Sequence, residues 1–256
     1  MTETQFIGID LAWKSEHNPT GAVCLRGDRS GVELLAVAPP LWTATTVLEF
    51  VRAYTAAESV VAVDAPLIIA NTSGQRPCET LVGKRYGGRD ASCHTSNLTL
   101  YPAATSVALA QAIEAEGYAH ANPTIQLPPR VIAEVYPHAG MVALFDLPKI
   151  IKYKKGSPDE KRAGLEALHR HLGKLENTEP RLHRTAMLDA LLNKNLDRVG
   201  GQELKTYEDS LDALFCGYLA YYLWYWGWER NEVFGDLQTG YIMNPKLIPG
   251  GVGRVA

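Results

Sequence analysis

No run of the sequence is both long and apolar enough to cross a bilayer. The longest apolar stretch, LFCGYLAYYLWYWGW (214–228), falls short of a span and starts two residues after Asp212. It reads as a core or buried-interface helix, and no membrane partner is expected. The opening MTETQFIGIDLAW lacks a basic n-region and a long apolar h-region, so it does not read as a secretory signal. Cysteine is sparse: Cys24, Cys78, Cys93 and Cys216 are scattered without a CxxC pair. Free thiols and a cytoplasmic location are expected. Excess charge is lacking too. A formal net charge of −3 gives no global basic footprint, so any nucleic-acid partner must meet a local patch. There is no internal repeat and no low-complexity tract. What remains is an ordinary globular composition, 256 residues with 46% hydrophobic, ample for one domain over 1–256 with a sizeable insertion.

The chain opens with FIGID (6–10), a short apolar strand ending in an acid. TGAVCLRG (20–27) and GVELLAVAP (31–39) flank a polar, Gly-bounded turn, which predicts a hairpin. In TATTVLEFVRAYTAAE (43–58), Val47, Phe50, Val51 and Tyr54 recur at helical spacing with Thr43 as cap. SVVAVDAP (59–66) has the continuous β-branched character of a strand buried on both faces. Residues 71–130 are Gly-, Arg- and Pro-punctuated, with a helix expected at 106–118. They read as an insertion folded over one edge of the core and walling a site. RVIAEVYP (130–137) returns to strand character, and helices are expected at 161–175, 185–196 and 206–228 before a closing hairpin.

Carboxylates fall where local structure does not require them. Asp10 and Asp64 end strands, and Glu134 sits inside VIAEVYP. Asp209 and Asp212 share one face of the last long helix. At strand ends, side chains reach the rim where open α/β sheets gather ligands. Ordinary structural uses exist for most: turn capping for Asp10 and Asp64, and a lysine of KIIKYKK for Glu134. For Asp209 there is a capping box with Thr206 as N-cap. Asp212 has no such explanation. Two carboxylates about 5 Å apart repel by roughly 3 kcal/mol at an effective dielectric near 20. A hard divalent cation, Mg²⁺ or Mn²⁺, relieves that repulsion, and such ions can activate water beside a phosphate.

Strand-acid, hairpin, helix, strand-acid and a late helix bearing D-x-x-D-A resemble the ribonuclease H-like order. The late DSLDAL is similar to the final acidic helix of Holliday-junction resolvases in that superfamily. More closely, GIDLAW, VAVDAPL, EVYPHAG, KYKKG, YEDSLDALFCGYLAYYLWYWGW and GYIMNP resemble the domain-of-unknown-function 429 family, usually described as predicted ribonuclease H-like nucleases. The resemblance runs from residue 8 to 245. It implies an α/β fold, a ribonuclease H-like mixed sheet flanked by helices. It also implies Asp10, Asp64, Asp209 and Asp212 as metal ligands and catalytic residues, with Glu134 as a further catalytic candidate in a family motif. The activity implied is metal-dependent phosphodiester hydrolysis of nucleic acid.

Two basic clusters could hold phosphates if they line the acidic rim: Lys149, Lys152, Lys154 and Lys155 in one, Lys84, Arg85 and Arg89 in the other. Otherwise they are solvated charge. Cys78, Cys93 and His94 lack a fourth ligand at short spacing, so no zinc site is expected. The aromatic helix 218–228 is core or the packing face of a homo-oligomer. Two other functions fit the sequence: an ATP-dependent phosphotransferase of actin-like type, and a non-catalytic binding protein on the same fold.

Overall fold

The computed structural model describes residues 3–13, 18–196 and 199–252. Three strands come first, β1 (Thr4–Asp10), β2 (Gly21–Asp28) and β3 (Gly31–Val37), joined as an antiparallel meander. Helix α1 (Ala44–Ala53) then carries the chain to β4 (Ser59–Asp64), which runs parallel to β1. After α2 (Pro77–Tyr86) and α3 (Thr105–Ala115), the short β5 (Ala119–His120) and β6 (Arg130–Glu134) complete one sheet in the order β3-β2-β1-β4-β6-β5. Helices α4 (Pro137–Phe145), α5 (Pro158–Lys174), α6 (Ala186–Leu192) and α7 (Gly201–Trp226) follow. A separate hairpin of β7 (Asn231–Asp236) and β8 (Gly240–Pro245) comes last. The mixed α/β sheet flanked by helices is consistent with the ribonuclease H-like fold that the resemblance implied. Among the described residues no helix is long and apolar enough to cross a membrane.

The period of two along each strand sorts the core onto two faces. Phe6, Val60, Ala62, Val131 and Ala133 join the cluster built on α7, α4 and α2. Ile7, Ile9, Val61, Val63 and Ile132 face α1 and α3. That alternation accounts for the continuous apolar run of β4, which is buried on both sides. It also carries Asp10 and Asp64, direct Cα partners at the strand ends, onto the α7 side. Glu134 is out of step. It pairs with Val63 and so has the parity of the α1/α3 face.

Glycine sets how close α7 comes to the sheet. A Cβ on Gly8 would lie 2.0 Å from the Ala213 carbonyl oxygen and 2.1 Å from the Gly217 nitrogen, and one on Gly21 would lie 2.3 Å from the Asp209 carbonyl oxygen. Both clashes are with backbone, which no rotamer change can relieve. Gly8→Ala is therefore expected to cost about 3 kcal/mol or more of stability, read by denaturant unfolding. Gly88→Ala, where a Cβ meets nothing within 4 Å, should stay within about 0.5 kcal/mol.

Several elements differ from the sequence reading. Helix α7 begins at Gly201 with Gly200 as N-cap, ahead of Thr206. Asp209 is thus more than two turns inside the helix and 2% exposed, and capping does not account for it. Helices α2 and α4 were not expected. In α2, Pro77 occupies the first turn, and the Glu79 carboxylate accepts from the Arg76 backbone N–H. Every residue of α4 except His138 is buried, so there is no polar face to reveal a helical period. Part of the expected insertion, β5, extends the sheet beside β6. Tyr218, Tyr221 and Tyr222 are fully buried within the chain. Beyond them, Arg29 and Arg230 cover the half-buried Trp224, Tyr225 and Trp226. The aromatic helix is core, and the homo-oligomer expectation gains no support from it.

Candidate active site

Four acids meet at the end of the sheet where β1 and β4 finish. Asp10 sits between Gly21 of β2 and Asp64 of β4. Because Gly21 has no side chain, the α7 backbone at Asp209 rests on it, bringing Asp209 and, one turn on, Asp212 over the ends of the strands. Both helix acids are 2% exposed. The Lys154 ammonium lies among them. Its Nζ is 3.2 Å from Asp10 Oδ2 and 3.9 Å from Asp209 Oδ1, and it donates to Asp212 Oδ2. The Tyr153 hydroxyl donates to the other Asp212 oxygen, and Lys205, one turn before Asp209, pairs with Asp209 Oδ1. Asp209 Oδ2 is buried with no hydrogen-bond partner. Trp13 Nε1 donates to the Asp64 backbone carbonyl at 3.1 Å.

Electrostatics follow from crowding. Burial drives the Asp10 carboxyl well above its ordinary value, Lys154 pulls it back, and Asp212, Asp64 and Asp209 add to the rise. Asp64 is pushed up to about 7, again chiefly by burial and against Lys154. Burial disfavours the Lys154 charge, but Asp10 and Asp212 more than offset it and hold its pKa well above the lysine value. A carboxyl with a raised folded-state pKa keeps its full stabilising contribution below the unfolded value of 3.8 and loses it as pH rises toward about 7. Without divalent metal, stability should therefore fall over that window. Asp64→Asn should flatten the fall, as measured by chemical denaturation across pH.

Glu134 lies beside this cluster in another network. Arg76 Nη1 and Nη2 donate to its two carboxylate oxygens at 2.9 and 2.6 Å, and the Leu67 N–H donates at 2.9 Å. Arg76 Nε also binds Glu79 at 2.8 Å. All three side chains are at most 3% exposed. The partner of Glu134 is thus Arg76, not a lysine of KIIKYKK. The basic clusters divide. Lys152 and Lys155 are exposed at the mouth of a cavity of about 510 Å³ that also reaches Asp64 and Lys154. Arg89 binds Asp146, and Lys149 binds Asp90. Arg85 is exposed on α2 away from that lining, against the Tyr86 ring. Trp13, Tyr153, Lys205 and Arg76 escaped the sequence reading. Trp13 and Tyr153 lie within the motifs GIDLAW and KYKKG without a signal of their role, and Lys205, four residues before Asp209, becomes legible as its partner only once α7 is seen to start at Gly201.

A family model described as protein of unknown function (DUF429) matches residues 8–229, a span that holds all four acids and Lys154. The chain belongs to the DUF429 family. No curated protein and no solved structure matches it. The DUF429 match thus supports the family without attaching an activity.

The acids of this DUF429 chain fit a hard divalent cation in donor type and in charge. Four carboxylates face two lysines, and one buried oxygen lacks any partner. As the side chains stand, no group of three or more His, Cys, Asp or Glu among the described residues could hold a metal ion. The ammonium of Lys154 is at their meeting point instead.

Proposed function

We propose that this protein is a metal-dependent phosphodiesterase acting on nucleic acid. The supporting observation is the convergence of Asp10, Asp64, Asp209 and Asp212, from β1, β4 and α7, on one rim of the sheet. These four residues would hold Mg²⁺ or Mn²⁺, which when bound supplies Lewis-acid charge to a phosphate and acidifies a water. The chain's own part is orientation. Tyr153 and Lys205 each fix one oxygen of Asp212 and Asp209, and the Trp13 indole ties down the end of β4. Lys152 and Lys155 supply cations at the mouth, where they position phosphates without reading sequence. Glu134 is assigned to the ion network with Arg76 and Glu79.

The test combines binding with turnover. Mn²⁺ titrated calorimetrically into the protein should bind saturably. In Mn²⁺, a panel of branched, single-stranded and hybrid substrates should include one that is cleaved. Asp64→Asn should remove that cleavage, on the order of 10³-fold or more, since it deletes charge where the reacting phosphate is held. Bound metal with no cleavage across the panel would sink the proposal.

A further inference from the structure

The cavity beside the acids has a shape and lining that narrow the substrate, an inference resting on the hydrolase reading of the same site. At about 510 Å³ it falls in the range that encloses a single small ligand, far too small for a stretch of duplex. Asp64 and Lys154 are part of its lining. The lining is aromatic: Tyr136 meets His138 edge to face with centroids 5.7 Å apart, His138 lies tilted on the buried Tyr153 at 5.8 Å, and the Trp13 indole lines the cavity as well. The Tyr136 hydroxyl is held on the Ser92 carbonyl at 3.0 Å, so that ring is braced. The Nδ1 of His138 is buried with no hydrogen-bond partner, a polar group that asks for one. At the mouth, Lys152 and Lys155 make no ion pair among the described residues.

We infer that this cavity takes one unstacked nucleotide unit, its base against the aromatic walls and its phosphate toward Asp64 and the lysines. An aromatic ring accepts any base through its π-face, while the exposed Lys152 and Lys155 at the opening draw the phosphate. A base inside a continuous helix cannot enter. The unit is therefore a free nucleotide, a strand end or a nucleotide turned out of its stack.

Calorimetric titration of the full chain in Mn²⁺ compares a nucleoside 5′-monophosphate, a short single strand and a blunt duplex of the same sequence. Saturable one-to-one binding of the mononucleotide or the single strand, with the duplex about tenfold weaker or worse, is expected. A mononucleotide as tight as the strand identifies free nucleotide as the source; a clearly tighter strand identifies nucleic acid. Trp13→Ala and Tyr136→Ala should each weaken binding about tenfold, with thermal unfolding checking that both variants fold. Trp42→Ala, exposed and outside the cavity, should change nothing. Equal affinity for duplex and single strand, or affinity untouched by both wall variants, overturns the inference. Mn²⁺ binding and cleavage without nucleotide binding would defeat the inference alone. Nucleotide binding without Mn²⁺ binding would defeat the hydrolase reading and leave the cavity assignment standing.

Discussion

Lys154→Met is expected to tighten Mn²⁺ binding about tenfold or more while lowering the stability of the metal-free protein. The ammonium already lies 3.2 Å from Asp10 and within contact of Asp212. A dication placed about 4 Å from that ammonium would be repelled by roughly 8 kcal/mol at an effective dielectric near 20. The two cations therefore compete, and metal binding carries the cost of moving a lysine out of its ion pairs. The Lys154 side chain is 30% exposed, against 13% for Asp10 and 2% for Asp209 and Asp212, so it has more freedom to leave than these acids have. Without the lysine, four carboxylates face only Lys205, which explains the expected loss of metal-free stability. Calorimetry with Mn²⁺ and denaturant unfolding without it give the two readouts. Unchanged or weaker Mn²⁺ affinity in the variant would show that the ammonium and the metal do not share a position.

Arg76→Met is expected to cost about 3–5 kcal/mol of stability, because it strands two buried carboxylates at once. Arg76 binds Glu79 through Nε and Glu134 through both terminal nitrogens, with its side chain 2% exposed. The guanidinium fork is what permits this, and a lysine could not reproduce it. Glu134→Met on the same background should recover part of the loss, giving a non-additive double-mutant cycle. Glu134→Gln should disturb stability while leaving Mn²⁺ affinity within about twofold, in contrast to Asp64→Asn. A loss below about 1 kcal/mol in Arg76→Met would mean the carboxylates find water or protons instead.

The sequence already carried the positions of the four acids and most of the sheet. Two rules made that legible: continuous apolar runs mark strands buried on both faces, and acids three apart share a helical face. Lys154 was legible as a phosphate ligand but not as a counter-ion among the acids, since nothing local says which carboxylate a flexible lysine will reach. Arg76 lay hidden in a polar, Gly-rich stretch and is nonetheless almost wholly buried. Its partner Glu134 lies 58 residues away, a separation invisible to any periodicity. Helix α4 is not legible in the sequence, because a helix buried nearly all round has no polar face to set a pattern. TYED imitates a capping box and so suggests a late start for α7, whereas the helix begins at Gly201 and Tyr207, Glu208 and Asp209 are buried inside it.

The shared parity of Asp10 and Asp64 bears on how this chain can diverge. Residues along β4 can be exchanged for others of similar size, but the strand cannot change length by a single residue. One amino acid gained or lost between Ser59 and Asp64 would turn the acid toward α1 and α3, and the apolar residues before it would swap sides with it. Length variation among related chains should therefore gather in the connections, with this short segment held at constant count.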